Sequence, residues 1–526
     1  MMFFWQLFPI GSTVCRLYNA TRSVSPITSS SSMEDILLAV YFLSLCVLFA
    51  FGLHGLVMIY YYHKTQKVTH QEPAVDSNNL PVVTIQLPFY NELYVVDRLV
   101  EAVCEIDYPK DKLEIQLLDD STDETVDISR SLAERFRTQG FDIKHIHRTN
   151  RQGFKAGALK EGLAAARGEF VAIFDADFIP KSDFLRKTIP YFADNKVGMV
   201  QTRWEHLNED YSYLTKAQAL ALDGHFVIEQ QIRHKAGFFI NFNGTAGIWR
   251  KSTIEDAGNW HSDTLAEDLD LSYRAQLRGW RFVFLNGVTS PAELPADINS
   301  LKTQQFRWTK GAVETAKKLL PSVWKSGLSL KHKLECTVHL TSNIVFPFIM
   351  MVAFLNVPIV VIKNTASSNP NQMFGLMSYA DFYSIMSIFV LASISTFLFY
   401  MYAQRAIHLD WQRRLLLFPV FMAGSMGLAV NNTRAVIEAI IGKKTEFKRT
   451  PKFAIKQNGD DWKKKRYVQK KVSWIVIVEL AFAAYFVFGI ANSFRYAEIA
   501  AIPFQLMFLF GFGTVGVLSL RHAISR

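Results

Sequence analysis

The chain has 526 residues, with 57 Lys+Arg against 47 Asp+Glu; half of the residues are hydrophobic and a fifth are charged. So much apolar mass excludes a disordered or low-complexity protein. Long charge-poor runs beside one soluble-looking stretch mark instead a polytopic membrane protein that carries a globular domain. Cys15, Cys46, Cys104 and Cys336 form no CxxC, so neither a zinc site nor a disulfide framework is suggested, which fits a reducing compartment. The net charge of +10 reads as positive-inside bias plus attraction to the lipid bilayer, and with no competing motif no nucleic-acid partner is expected.

In chain order, residues 1–35 read as a disordered tail in which Met33 is an alternative start. Residues 36–62 form an apolar run broken only by His54, long enough for a transmembrane helix, and His63, Lys64 and Lys67 place its C-terminal end in the cytoplasm. Residues 64–335 read as a cytoplasmic α/β domain. Strands are predicted at 82–87, 114–118, 143–147, 170–174, 198–203, 238–241 and 281–285, and helices at 92–105, 123–139, 155–167 and 265–278. This alternation implies a mostly parallel sheet with helices on both faces, inserted between α-helical transmembrane segments. Within 338–441, two transmembrane helices (338–362 and 382–403) precede a segment, 415–441, that is re-entrant, interfacial or a third crossing. The basic stretch 442–471 should be cytoplasmic, and 472–519 holds two more helices.

In such sheets ligands bind beyond the carboxyl ends of the strands. Three predicted strands there run into Pro88-Phe89-Tyr90-Asn91-Glu92, Asp119-Asp120-Ser121-Thr122-Asp123 and Asp175-Ala176-Asp177. Asp175 and Asp177 suit Mg²⁺ or Mn²⁺, hard cations that keep waters and take their remaining ligands from a diphosphate. Lys155 opens a helix whose N-terminus could receive phosphate. Glu267 and Asp268 begin another helix, where helix-dipole stabilisation is the plain reading and a general base at Asp268 the functional one. Gln304-Gln305-Phe306-Arg307-Trp308 offers a bidentate diphosphate clamp and a stacking surface for sugar, or alternatively a membrane-interface anchor.

Asp120, DADF, the Glu267-Asp268 pair and QQFRW, in this order, resemble the D, DxD, ED, QxxRW series of the processive family 2 glycosyltransferases. LPFYNE, LLDDSTDET, NRQGFKAGAL, FNGTAGIWR and QQFRWTKG look most similar to the cellulose-synthase-like mannan and glucomannan synthases. The resemblance implies a GT-A-type nucleotide-sugar-binding domain and an inverting hexosyltransferase that extends a β-linked polysaccharide from GDP-mannose or UDP-glucose. It places Asp119 and Asp120 at the nucleotide, Lys155, Asp175, Gln304 and Arg307 at the donor diphosphate, and the metal on Asp177 with Asp175. Asp268, beside Glu267, would be the base, with Trp308 and the loop Asn243, Gly244, Thr245 at the acceptor. Phe447, Thr450 and Lys452 resemble the FxVTxK gating loop of cellulose synthases, although Arg449 stands where that pattern has Val. Ala266 replaces the Thr common before the Glu-Asp pair, and no C-terminal regulatory domain of the cyclic-dinucleotide-binding type is expected. The resemblance identifies no protein partner. A bacterial inner membrane is the preferred location, with a Golgi membrane as the eukaryotic counterpart. The competing readings are a transferase adding one sugar to a lipid acceptor, such as a polyprenyl phosphate or ceramide-like lipid, and a non-enzymatic transporter or scaffold.

Overall fold

The computed structural model describes residues 33–67, 80–366, 372–373, 377–455, 460–468 and 472–524, so most of the predicted N-terminal tail lies outside the described residues. At the centre stands a seven-stranded sheet in the order β3-β2-β1-β4-β6-β5-β7. Its strands are β1 (Val83–Phe89), β2 (Leu113–Asp119), β3 (Asp142–His147), β4 (Phe170–Ile173), β5 (Val197–His206), β6 (Gly247–Arg250) and β7 (Arg281–Ala292). All neighbours pair in parallel except β6, which runs antiparallel to both β4 and β5.

Strand periodicity explains the layers. Val83, Ile85, Leu87 and Phe89 of β1 and Phe170 and Ala172 of β4 pack on one face with α2 (Val96–Cys104) and α3 (Thr125–Thr138). Val171 and Ile173 face the other way, against Leu159 and Leu163 of α4 (Phe154–Ala165). Under α4 the sheet also buries a polar ladder, in which Thr84 Oγ1 donates to Glu114 at 2.6 Å and Gln86 to Gln116 at 3.0 Å. Most buried groups there are paired, Gln86 Oε1 being the exception, so the ladder helps to fix strand register.

The predicted strand at 238–241 does not form. Side chains take its backbone hydrogen bonds instead: Gln276 exchanges two with Ile240, and Gln230 two with Asn241. The strand in that region is β6, six residues later.

Past the sheet, α5 (Tyr213–Asp223) runs into a π-helical turn (Gly224–Gln230) and α6 (Gln231–Lys235), and α7 (Glu267–Leu277) precedes the 28-residue α8 (Ile298–Lys325). Among the described residues, five helices are long and apolar enough to cross a membrane: α1 (Met33–Thr65), α9 (Leu330–Lys363), α10 (Asp381–Ile407), α13 (Trp474–Arg495) and α14 (Ile499–Ile524). Between α10 and α13, α11 (Trp411–Gly427) and α12 (Ala429–Ile440) form a pair bent by 44°. The predicted crossing runs therefore all fall on helices, and the segment read as re-entrant, interfacial or crossing falls on the bent pair.

Candidate active site

The carboxyl ends of β1, β2 and β4, the start of α4 and the middle of α8 enclose one cleft, lined among others by Tyr90, Asp120, Lys155, Asp175, Asp177 and Arg307. The turns that build it are tight. Asn91, Arg151, Phe154 and Ala246 all adopt positive φ, between 44° and 55°. Such left-handed non-glycine residues persist where surrounding contacts over-determine them.

Asp120 receives a bidentate pair from Arg148 at 2.6 and 2.7 Å, and Arg148 also donates to the carbonyls of Gln152 and Phe154. Asp120 thereby fixes the turn that aims α4 at the cleft. Asp119 is fully buried and turned away, held by Ser121 N and His145 Nε2, each at 2.8 Å. It forms with His145 and His147 a group compact enough for an ion, as do His261, Asp263 and Asp270, but neither group includes Asp175 or Asp177.

Lys155 Nζ donates to Asp175 Oδ1 at 2.6 Å and to the Gly244 carbonyl at 2.9 Å, and lies 4.0 Å from Glu267. Burial opposes its charge, yet Asp175 and then Glu267 outweigh burial and hold the ammonium above its usual pKa. Thr245 Oγ1 accepts from Asp175 N at 2.8 Å, so the 243–245 loop contacts both partners of that ion pair. Gly244 has φ +80°, and a Cβ there would come within 2.9 Å of Asp268 Oδ2. The same Cβ would lie 3.5 Å from Lys155 Nζ, so the base candidate and Lys155 both border Gly244. Burial, followed by repulsion from Glu267, pushes the Asp268 carboxyl up to about 7 against the pull of Lys155. Glu267 is raised too, again chiefly by burial. A carboxylate poised near neutrality is suited to taking a proton.

On α8, Gln304, Arg307 and Trp308 share one face at i, i+3, i+4 spacing. Arg307 donates to Thr450 Oγ1 at 3.1 Å, and its guanidinium lies 4.4 Å over the Phe447 ring. Trp308 is 38% exposed, and its ring centroid is 6.4 Å from that of Trp204. The 447–453 segment closes over the cleft: Phe447 stacks on Phe154 at 6.0 Å, Lys452 Nζ bonds Asp177 Oδ2, and Phe453 N donates to Glu293 at 2.9 Å. Arg449 reaches Glu92 at 3.1 Å. Closed in this way, the cleft keeps a volume of ≈ 100 Å³, below the roughly 300 Å³ or more of pockets that bury small ligands.

Residues 81–311 match the family model described as Glycosyltransferase like family 2. The 81–311 segment is a family 2 glycosyltransferase domain. Over 266 residues the chain is 41% identical to Glucomannan 4-beta-mannosyltransferase 1 of Oryza sativa subsp. japonica, covering 50% of this chain and 51% of that protein. Glucomannan 4-beta-mannosyltransferase 2 of Arabidopsis thaliana is 42% identical over 259 residues, 48% of each chain. The chain thus spans about half the length of the curated relatives it matches. A mannosyltransferase from Pyrobaculum calidifontis, solved in complex with GDP-Man and Mn²⁺, shares the fold with a TM-score of 0.52 at 19% identity, covering 78% of this chain and all of that one.

The cleft of this glycosyltransferase domain brings together Asp120, Lys155, Asp175, Asp177, Arg307, Thr450 and Lys452; Glu267 and Asp268 adjoin it beside Lys155 and Gly244, and Asp119 lies behind it. Sequence reasoning missed two of its parts. Glu92 is buried in the cleft, and burial pushes its carboxyl up to about 8 despite Arg449 and Lys452. Arg151 stacks 3.5 Å over Tyr90, which makes a flat cationic-aromatic platform at the cleft mouth. The motif Pro88–Glu92 and the departure at Arg449 were the available signals. For a metal the donor set fits: Asp175 and Asp177 offer hard carboxylate oxygens, and each now holds a lysine ammonium as its counter-cation.

Proposed function

We propose that the chain is a membrane-bound inverting hexosyltransferase that transfers a hexose from GDP-mannose or UDP-glucose to a growing β-linked polysaccharide and passes the product through its own helices. The observation that carries this reading is the 243–245 loop, which borders Lys155, Asp175 and Asp268 at once. Single displacement needs a base and leaving-group stabilisation gathered around one reacting carbon, and these residues supply both.

In this mechanism Asp268 takes the proton of an acceptor hydroxyl, whose oxygen attacks the anomeric carbon as the bond to the donor phosphate breaks. Lys155 and Arg307 hold the charge that develops on the nucleoside diphosphate. Mg²⁺ or Mn²⁺ held by Asp177 and Asp175 would supply Lewis-acid neutralisation of the same group. Gln304 contacts the diphosphate, Asp120 orders the nucleotide side of the cleft, and Asp119 acts there indirectly, through the turn it fixes. Trp308 stacks on the terminal sugar of the acceptor, which Asn243 to Thr245 border. The names of the sequence relatives favour GDP-mannose over UDP-glucose.

The strap carrying Phe447, Thr450 and Lys452 acts as a gate that withdraws to admit donor. It also bears on membrane topology. The end of α1 meets the domain through Tyr61 and Phe238, the start of α9 through Glu335 and Arg233, and the chain just past α10 through His408 and Asp223. The bent pair touches the domain at both ends, through Arg414 with Glu209 and through the Ala439 and Ile440 carbonyls with Lys317. With α9 leaving and α10 returning, the bent pair re-enters, and five helices cross. The domain and strap then share the cytoplasmic side.

A second reading, transfer of one sugar to a lipid, draws on an apolar cavity of ≈ 390 Å³ between α5, α8, α11 and α14, which Gln305 of the QQFRW run lines. Product size separates the two. Protein in lipid nanodiscs, given Mn²⁺ and each donor in turn, should yield a long β-mannanase- or β-glucanase-sensitive product that Asp268→Asn does not make. A one-sugar lipid product would select the second reading, and nucleotide release that does not depend on Asp268 would refute both.

A further inference from the structure

Asn243, at the head of the loop beside Asp268, is held by a string of hydrogen bonds that neither the donor cleft nor the strap uses. A backbone N–H fixes the order of the string. Asn241 N can only donate, and it donates to Gln230 Oε1 at 3.3 Å. The other end of that amide, Nε2, then donates to Asn243 Oδ1 at 2.6 Å. Asn243 must therefore present Nδ2 to His225 Nε2, 2.9 Å away, which makes Nε2 an acceptor and puts the imidazole hydrogen on Nδ1. Nδ1 lies 2.9 Å from Glu229 Oε2, a carboxylate oxygen that accepts it. Every polarity in the chain agrees. The second Nδ2 hydrogen of Asn243 has no partner among the described residues.

His225 and Glu229 sit in the π-helical turn, an irregularity that recurs at functional sites. Tight packing holds the turn, since a Cβ at Gly224 would come within 2.6 Å of the Tyr400 ring of α10. Beyond Glu229 the network continues through Arg233, 3.7 Å away, to Glu335 and then His54 of α1, at 2.8 Å each. Those outer members seat the domain on the membrane helices, and Arg233 and Glu335 are nearly sealed, at 3% and 6% exposure. The inner two differ. His225 is 26% exposed and Glu229 33%, so they border open space. Packed rings link His225 to Trp308: Trp204 lies 6.4 Å from Trp308 and 5.2 Å from Phe226, whose ring is 5.0 Å from His225.

We propose that Glu229 and His225 are positioning residues that hold the Asn243 amide so that its free N–H donates to a hydroxyl of the acceptor's terminal sugar beside Trp308. The proposal rests on the acceptor reading above and adds to it the residues that order the acceptor.

The test is a split between acceptor and donor. In nanodiscs, KM for a short β-linked manno- or gluco-oligosaccharide and KM for the donor are measured for wild type, His225→Leu, Glu229→Gln and His225→Gln. His225→Leu should raise the acceptor KM about three- to tenfold, the worth of one uncharged hydrogen bond, with the donor KM unmoved. Glu229→Gln should have a smaller effect, and His225→Gln, which can still accept from Asn243, should recover part of the loss. An unchanged acceptor KM in His225→Leu overturns the proposal, as does a parallel shift of both KM values with a fallen Tm, the mark of a merely structural role. Failure of the polymer reading shows in the wild type instead, as turnover with a polyprenyl phosphate and none with an oligosaccharide; His225→Leu with an unchanged KM for that lipid would then overturn the dyad as well.

Discussion

Lys452→Met should tighten divalent-cation binding while lowering turnover. In the closed strap the Lys452 ammonium occupies Asp177 Oδ2, and both side chains are largely buried, at 13% and 9% exposure. A cation bound through Asp177 must displace that ammonium. Hydrogen bonds to charged groups contribute about 1.5–3 kcal/mol, so removing the competitor should lower the Mn²⁺ Kd by about 10- to 150-fold at roughly 1.4 kcal/mol per decade. Loss of the lysine also leaves Asp177 as a carboxylate without its counter-charge, which acts in the same direction. Turnover should fall because the strap loses a contact over the bound donor. The assay is an electron paramagnetic resonance titration of Mn²⁺ without donor, on wild type, Lys452→Met and Asp177→Asn. Unchanged or weaker binding in Lys452→Met, with binding lost in Asp177→Asn, would refute the competition; unchanged binding in Asp177→Asn would remove Asp177 from the metal.

Asp268→Asn should cost about 10²–10⁴ in kcat, the range for a general base, while donor affinity measured by titration is retained. Because the Asp268 carboxyl is pushed up to about 7 and a base acts when ionised, kcat/KM should rise with pH through neutrality, and an acid limb at the ordinary carboxylate pKa would contradict the assignment. Gly244→Ala combines a left-handed φ of +80° with a Cβ 2.9 Å from Asp268 Oδ2, so turnover should drop at least about tenfold by displacement of a base, read with the same nucleotide-release assay. Glu92, raised to about 8 in the fold, holds a proton that the unfolded chain has released; stability should therefore fall as pH rises from the ordinary carboxylate pKa to 8, and Glu92→Gln should flatten that part of the Tm–pH curve. Lys302 pairs with Glu479 of α13 at 2.7 Å, both buried, so Lys302→Met should destabilise by about 3–5 kcal/mol, and Lys302→Met with Glu479→Leu should recover much of it in thermal unfolding.

Much of the domain was legible because its signals are local. Alternating apolar residues in β1 and β2 and the apolar run of β4 mark strands, and acidic residues at or just beyond their ends mark the cleft. What was illegible depends on distant partners. Residues 238–241 have strand-like composition, but amides from Gln230 and Gln276 capture their backbone, which no local pattern encodes. Strand β6 is four residues long and begins with a glycine, too short to show a period. The role of Asp119 turned on which face of β2 its side chain took: it pairs with His145 on the neighbouring strand, while Asp120 lines the cleft. Arg449 read as a departure from a gating pattern until its partner, Glu92, was located on the opposite wall.

The strap also determines what can be excised from this protein. Arg449, Thr450 and Lys452 enter the cleft from the far side of α9, α10 and the bent pair, and Arg466 reaches across to Glu124 on the domain's outer surface at 2.6 Å. A recombinant fragment ending before α9 would keep the whole seven-stranded sheet and the Asp268 helix, yet Glu92 and Asp177 would lose their cations and Arg307 its cover. Such a fragment would be a fold without a finished cleft. Selection for a secreted or soluble form would have to replace three cationic and hydroxyl contacts before discarding a single membrane helix, so the enzyme is tied to the bilayer by its chemistry as well as by its hydrophobic helices.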